Sequence, residues 1–139
     1  MELSEIEARL AIQDLLARYL KWADSGRTEE FIGLFTEDCV YHLPDQVCRG
    51  RAAVAAFFEG TKRGFAEQHK GGRIRHHTSS IVVEPLGPAE AKTSAYFMAV
   101  GPHGPDHWGT YRDRVVKVGN QWLFAERRVN VEGQVKTGA

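Results

Sequence analysis

The chain is poor in cysteine, carries no excess charge and contains no long apolar run. Cys39 and Cys48 are its only two cysteines in 139 residues. Their spacing fits no zinc or thiol–disulfide motif, and they are expected to be free thiols in a reducing cytoplasm. Lys plus Arg equals Asp plus Glu at 18 each. Without a surplus of positive charge the chain lacks the electrostatic footprint for nucleic acid or an anionic membrane. No apolar stretch approaches the ~20 residues of a membrane span. The opening MELSEIEARL is acidic and has no signal-peptide core. Neither repeats nor low-complexity segments occur. Six histidines (His42, His69, His76, His77, His103 and His107) follow no helical H-x-x-x-H or Cys/His ligand spacing, so no metal is expected.

What is present suits one ordinary globular domain over residues 1–139, with 42% hydrophobic and 26% charged residues. Ser4 and Glu7 read as a capping box. Ile6, Leu10, Leu15, Leu16, Tyr19, Leu20 and Ala23 follow at helical spacing up to Asp24, where Ser25-Gly26 ends the helix. Thr28 is placed to cap a short second helix through Phe31, Leu34 and Phe35. CVYHLP reads as a short strand closed by Pro44. A third helix begins near Arg51 and carries Val54, Phe57 and Phe58 on one side. From Arg75 onward the chain turns to β-branched and aromatic runs separated by Gly-Pro and Gly-Asn turns, with a tight hairpin at Val118-Gly119-Asn120-Gln121. Helices first and antiparallel strands second predict an α+β fold, the helices packed on one face of a curved sheet.

A few polar residues stand where apolar ones are expected. Asp24 shares a helix face with Leu16 and Leu20, and it sits at a helix C-terminus, where the macrodipole disfavours negative charge. Such a carboxylate needs a hydrogen-bonding or positive partner. His76 and His77 are adjacent in a strand and therefore point to opposite faces. His76 falls in phase with Thr78, Ser80 and Val82, and His77 with Ser79, Ile81 and Val83, so alternation leaves open which one faces inward. An Asp–His pair would fix the imidazole tautomer and make a general base near neutral pH. Arg127 lies in phase with Leu123, Ala125, Val129 and Val131, a lone cation on an apolar face. Arg128 falls opposite with Trp122, Phe124 and Glu126. Tyr19, a core aromatic by position, could donate its phenol to a carbonyl or leaving group. Tyr111, Trp108 and Phe57 are candidate walls of a substrate pocket.

AIQDLLARYLKWADSGRTEEFIGLFTEDCVYHLP, RHHTSS, GTYRD and WLFAERRV together resemble the nuclear transport factor 2-like superfamily. The resemblance is to its SnoaL-like branch, which includes scytalone dehydratase, bile acid 7α-dehydratase and hexachlorocyclohexane dehydrochlorinase. It implies a cone-shaped α+β barrel, its N-terminal helices packed on a curved, mainly antiparallel sheet around a deep apolar pocket, and a homodimer or homotrimer. It also implies a catalytic set. Asp24 matches the helix-end aspartate, His76 the dyad histidine that removes a proton, Tyr19 the helix tyrosine of the dehydratases, and Arg127 an arginine near the leaving group. The expected function is a cofactor-independent lyase of dehydratase type acting on a small apolar cyclic or aromatic molecule. Isomerase or cyclase chemistry would use the same dyad. The fold also serves non-catalytic subunits, such as the β-subunits of ring-hydroxylating dioxygenases.

Overall fold

The first helix, α1 (Leu3–Asp24), buries Ile12, Leu15, Leu16, Tyr19 and Leu20, spaced to make one stripe. Ile6 and Leu10, expected in that stripe, lie outside it at 40% and 65% exposure. The structure is a computed structural model that describes residues 1–69 and 73–135, and the side chains of residues 66–69, His69 among them, lie outside the description. The capping box at Ser4 does not form. Glu2 is the N-cap, and its carbonyl already accepts the amides of Glu5 and Ile6 at 3.1 Å, so Ser4 is inside the first turn. Thr28 likewise does not cap α2 (Thr28–Ile32). Its hydroxyl donates to Glu59 of α3 (Arg51–His69) instead.

The second helix ends at Ile32, and Phe35 opens a strand, β1 (Phe35–Leu43). A hairpin at Pro44-Asp45 returns the chain as β2 (Gln46–Arg49), a strand not foreseen because it is short and polar, with only Cys48 buried. The long strands β3 (Arg75–Gly87), β4 (Glu90–Gly101), β5 (Gly104–Val118) and β6 (Gln121–Gln134) follow. The sheet order is β2-β1-β6-β5-β4-β3. All pairings are antiparallel except β1 with β6, which is parallel. The sheet is curved but not closed, with β2 and β3 as edges, so the expected barrel is an open cone wall.

Strand β4 alternates without a break: Ala91, Thr93, Ala95, Phe97 and Ala99 are buried, while the residues between them face out. The neighbouring strands depart from that rhythm at bulges, and these re-aim the side chains that matter. In β3 the register slips between Ser79 and Val82, where Ser80 takes φ 53°, the left-handed region. His76 and Thr78 therefore share their face with Ile81 and Val83, not with Ser80 and Val82. In β6 the slip falls at Ala125: Phe124 pairs with Val115, and Glu126 with Arg114. Phe124 and Arg127 thus both point inward, and Leu123 and Ala125 lose the phase expected of them. A third slip isolates Asp106, since Ala99 pairs with His107 and Val100 with Pro105. Gly109 marks a close approach of backbones; a Cβ there would overlap the Asn130 carbonyl of β6.

Between helices and sheet the core is rich in aromatic side chains. Phe31 of α2 stacks on Phe58 of α3 at 4.3 Å, and Phe97 of β4 on Tyr111 of β5 at 4.4 Å. Lys62 of α3 reaches the Gly26 carbonyl at 3.1 Å and the Thr28 hydroxyl at 3.0 Å, which fastens the turn that follows α1.

Candidate active site

The last turn of α1 delivers a carboxylate to the first turn of the sheet. Gly26, at φ 69°, stops the helix, and the Ser25 hydroxyl donates to the Lys21 carbonyl at 2.6 Å. Asp24 extends toward the start of β3. Its Oδ2 accepts the backbone N–H of His76 at 2.9 Å and its Oδ1 pairs with Nδ1 of the same residue at 2.7 Å. Because β3 is an edge strand, that amide is free of a ladder partner on its outer side. A carboxylate only accepts, so the His76 proton sits on Nδ1 and leaves Nε2 with a lone pair. Two hydrogen bonds to charged oxygen, at roughly 1.5–3 kcal/mol each, offset the cost of an acid at a helix C-terminus, roughly 0.3–1 kcal/mol. Both side chains are part-buried, at 24% exposure for His76 and 11% for Asp24. His77 is exposed on the opposite face of the sheet.

A second imidazole faces the first. The His107 ring lies 5.4 Å from that of His76 at 74°. Its Nδ1 pairs with Oδ2 of Asp106 at 2.8 Å, and Oδ1 of the same carboxylate takes Nε2 of His103 at 3.0 Å. The bulge at Asp106 makes this arrangement available, because regular alternation would send Asp106 and His107 to opposite faces. Burial raises the Asp106 carboxyl, but hydrogen bonds and charge from His107 and His103 outweigh it, so the group is held below its ordinary range. Two imidazoles with their Nδ1 atoms taken by carboxylates leave two Nε2 atoms for chemistry. Phe97 flanks both rings, at 6.4 Å from His76 and 5.9 Å from His107. With Tyr111 stacked behind it, Phe97 supplies an aromatic wall.

Deeper in, Arg127 is fully buried. Its Nε donates to Oδ1 of Asp113 at 2.8 Å and its Nη2 to Oδ2 at 3.3 Å, and Thr93 donates to the same carboxylate at 2.7 Å. The guanidinium lies 4.1 Å from the Tyr19 ring centre and 3.8 Å from that of Tyr111. Its Nη1 is buried without a hydrogen-bond partner among the described residues. Burial works against the cation, but the Asp113 charge and the phenols around it win, and the guanidinium is held above its ordinary range. Burial pushes the Asp113 carboxyl up, and Arg127 and Thr93 pull it only part of the way back. The Tyr19 hydroxyl meets that of Tyr41 at 2.5 Å. Burial drives the phenols of Tyr19, Tyr41 and Tyr111 upward, so all three stay neutral.

The structure thus brings Asp24 and His76 into contact, with Tyr111 one ring further away, stacked on the Phe97 that flanks His76. Tyr19 and Arg127 form a separate, deeper layer engaged with protein partners. Phe57 packs edge-on against Tyr41 at 5.9 Å. Trp108 is a correction: it stands 39% exposed on the outer face of the sheet, beside His77 and Met98, because the alternation that turns Tyr111 inward turns Trp108 outward. His107, Asp106, Tyr41 and Asp113 were not singled out by the sequence reading. Asp113 lies in phase with Tyr111 and could have been read from alternation; Asp106 could not, because its bulge leaves no signature. Among the described residues no group of three or more His, Cys, Asp or Glu side chains is placed to hold a metal ion, and no helix is long and apolar enough to cross a membrane.

Residues 4–128 match the family model of the SnoaL-like domain. Among curated proteins none matches the chain in sequence. A solved structure of a candidate scytalone dehydratase from Novosphingobium aromaticivorans is 26% identical, with a TM-score of 0.83 over 100% of this chain and 93% of that one. A protein of unknown function from Mycobacterium tuberculosis is 28% identical, with a TM-score of 0.80 over 94% of this chain and 75% of that one. The β subunit of a candidate aromatic-ring-hydroxylating dioxygenase from N. aromaticivorans shares the fold at 18% identity, with a TM-score of 0.77 over 96% of this chain and 94% of that one.

Proposed function

The chain belongs to the SnoaL-like domain family of the nuclear transport factor 2-like superfamily, and from that premise we propose that it is a cofactor-independent lyase that eliminates water from a small apolar cyclic molecule. The observation that carries the reading is the facing pair of carboxylate-anchored imidazoles, Asp24–His76 and His107–Asp106. A cyclic substrate with a hydroxyl β to a carbonyl fits this chemistry. Nε2 of His76 takes the proton from the carbon α to the carbonyl, and the C–H electron pair becomes the new C=C bond. The C–O bond breaks on the other side, and the departing hydroxyl leaves as water with a proton from Nε2 of His107 in its imidazolium form. Asp24 holds the His76 ring and stabilises the imidazolium as it forms. Phe97 and Tyr111 supply the apolar wall against which the ring of the substrate lies. Tyr19 and Arg127, bound to Tyr41 and Asp113, support that wall from below. A reducing cytoplasm suits the two free, buried thiols of Cys39 and Cys48.

A non-catalytic subunit is the second reading, and one observation favours it. Asp24 also bonds the His76 backbone, which by itself gives a structural reason for the pair, since it ties α1 to β3. The deciding experiment presents cyclic β-hydroxy ketones in deuterated water to the wild type and to Asp24→Asn. The conjugated product is followed by ultraviolet absorbance and exchange at the α carbon by NMR. Turnover in the wild type that falls by at least ~10²-fold in a folded Asp24→Asn supports the lyase. Exchange without water loss points to an isomerase or cyclase, and equal turnover in the two proteins removes Asp24 from the mechanism.

A further inference from the structure

On the outer face of the sheet the ladder register sets basic side chains in one row. Ser94 of β4 lies opposite Arg112 of β5, Arg112 opposite Arg128 of β6, and Arg128 beside His42 of β1. Two guanidiniums directly opposite each other repel, and the sheet carries that cost unless something negative comes between them. The chain itself supplies little. Arg112 has no ion pair among the described residues. Arg128 has only Glu126, at 3.8 Å, and Glu126 is shared with His42, 3.6 Å away. The buried Nε2 of that histidine has no hydrogen-bond partner among the described residues. In the next row the balance is better, since Arg114 pairs with Glu90 at 3.2 Å and Lys92 stands opposite Glu84. Arg112, Arg128, Ser94 and Thr110 line a groove of about 750 Å³, with Tyr96 on its bank. Beyond Tyr96, which is 60% exposed, come the half-exposed Met98 and Trp108, so the cationic row runs straight into an apolar patch.

We propose that this groove is a binding site for a phosphate monoester of an apolar alcohol, on the opposite side of the sheet from the paired imidazoles. A phosphate monoester carries a charge of about −1.5 to −2 near neutrality. It therefore matches two guanidiniums, where a carboxylate matches one. Each guanidinium presents a planar fork to phosphate oxygens, and the Thr110 hydroxyl lies in the same groove to donate to a third. The bound dianion separates Arg112 from Arg128, so binding recovers a cost that the free chain carries. The organic part of the ester leaves over Tyr96 toward Met98 and Trp108 and covers their apolar surface.

Isothermal titration calorimetry on the whole chain at low salt tests this with phenyl phosphate, inorganic phosphate and benzoate as probes. Phenyl phosphate is expected to bind once per chain. It should bind at least ~10-fold more tightly than benzoate, which lacks the second charge, and ~3-fold more tightly than inorganic phosphate, which lacks the ring. Arg112→Gln and Arg128→Gln should each weaken phenyl phosphate at least ~10-fold, and Tyr96→Ala about 3-fold. Arg18→Gln, which removes the same charge from α1, should change it less than about twofold. Melting temperature is the second readout. Without a phosphate ligand Arg112→Gln should melt no lower than the wild type, because it relieves the repulsion. Phenyl phosphate should raise the melting temperature of the wild type and leave that of the variant where it was. No saturable binding to the wild type, benzoate or inorganic phosphate bound as tightly as phenyl phosphate, an Arg18→Gln effect equal to that of Arg112→Gln, or an Arg112→Gln chain that melts well below the wild type overturns the proposal.

Discussion

Arg127→Met is the sharpest test of the interior. The substitution keeps an unbranched apolar side chain between Tyr19 and Tyr111 but removes the charge. Asp113 is left with Thr93 as its only hydrogen-bond donor among the described residues, its side chain fully buried. Breaking a buried pair by removing one partner costs about 3–5 kcal/mol, most of it the stranded charge. Replacing both members, as in Arg127→Met with Asp113→Leu, strands only the Thr93 hydroxyl. That variant should lie within about 1–2 kcal/mol of the wild type. The cost of the single variant also depends on pH. Burial already holds the Asp113 carboxyl above its usual range against the pull of Arg127; without Arg127 it rises further. A carboxyl whose folded value exceeds its unfolded value of about 3.9 binds a proton on folding. Its contribution to stability is present below about pH 4 and is lost as pH rises through the folded value. The deficit of Arg127→Met should therefore be largest near about pH 7 and shrink toward about pH 4.5. Urea unfolding of the three proteins at both pH values measures it. A single-variant deficit below about 1 kcal/mol, or one equal at both pH values, would show that Arg127 does not neutralise a buried carboxylate.

Other substitutions probe the site and the sheet. His76→Ala should abolish turnover with little change in melting temperature, while His77→Ala, on the exposed face, should leave turnover within a few-fold; initial rates and melts on both decide it, and the reverse pattern refutes the assignment. Asp106→Asn should lower kcat/KM about 10-fold or more by freeing the His107 ring, and it should narrow the pH–rate profile on the acid-catalysis side; an unchanged profile refutes the role. Because the Asp106 carboxyl is held below its ordinary range, its contribution to stability is present above the unfolded value and lost as pH falls through the folded one. Asp106→Asn should accordingly melt lower than the wild type near neutrality and converge with it in acid. Gly109→Ala forces β5 from β6 at the Asn130 carbonyl and should cost at least ~3 kcal/mol or prevent folding; a melt close to that of the wild type would show that the strands can part without loss.

Much of the fold was legible because the long helix and the hairpins obey their periods. Leu15, Leu16, Tyr19 and Leu20 announce one face of α1, and β4 alternates cleanly between Ala91 and Ala99. Legibility failed wherever the backbone adds a residue. Ser80 in the left-handed region carries no glycine to advertise it, so His76 was grouped with Val82 instead of Val83. The extra residue at Ala125 put Phe124 on the wrong side of Arg127. Asp106 is the most consequential of these, since its bulge sets the orienting carboxylate beside His107. The short polar β2 escaped because pairing, rather than composition, makes it a strand. Asp24 stood out as an acid at a helix end, whereas alternation left His76 and His77 equivalent, and the family resemblance rather than the pattern selected His76.

The parallel pairing of β1 with β6 has a consequence for how the molecule is made. Val40 sits beside Glu126, and Phe35 beside Phe124, so one of the earliest strands off the ribosome waits for the last. Until β6 emerges, the β1–β2 hairpin has only the nearby helices to lean on, and β5 shows an open edge. Contacts this distant along the chain slow folding, because a long loop must close before they add any stability. The newly synthesised chain therefore passes through a stage in which two unpaired edges, one on β1 and one on β5, are exposed to neighbours and to chaperones. A message truncated ahead of Gln121 leaves both edges open for good, because β6 is the strand that joins the β1–β2 hairpin to the β3–β4–β5 meander.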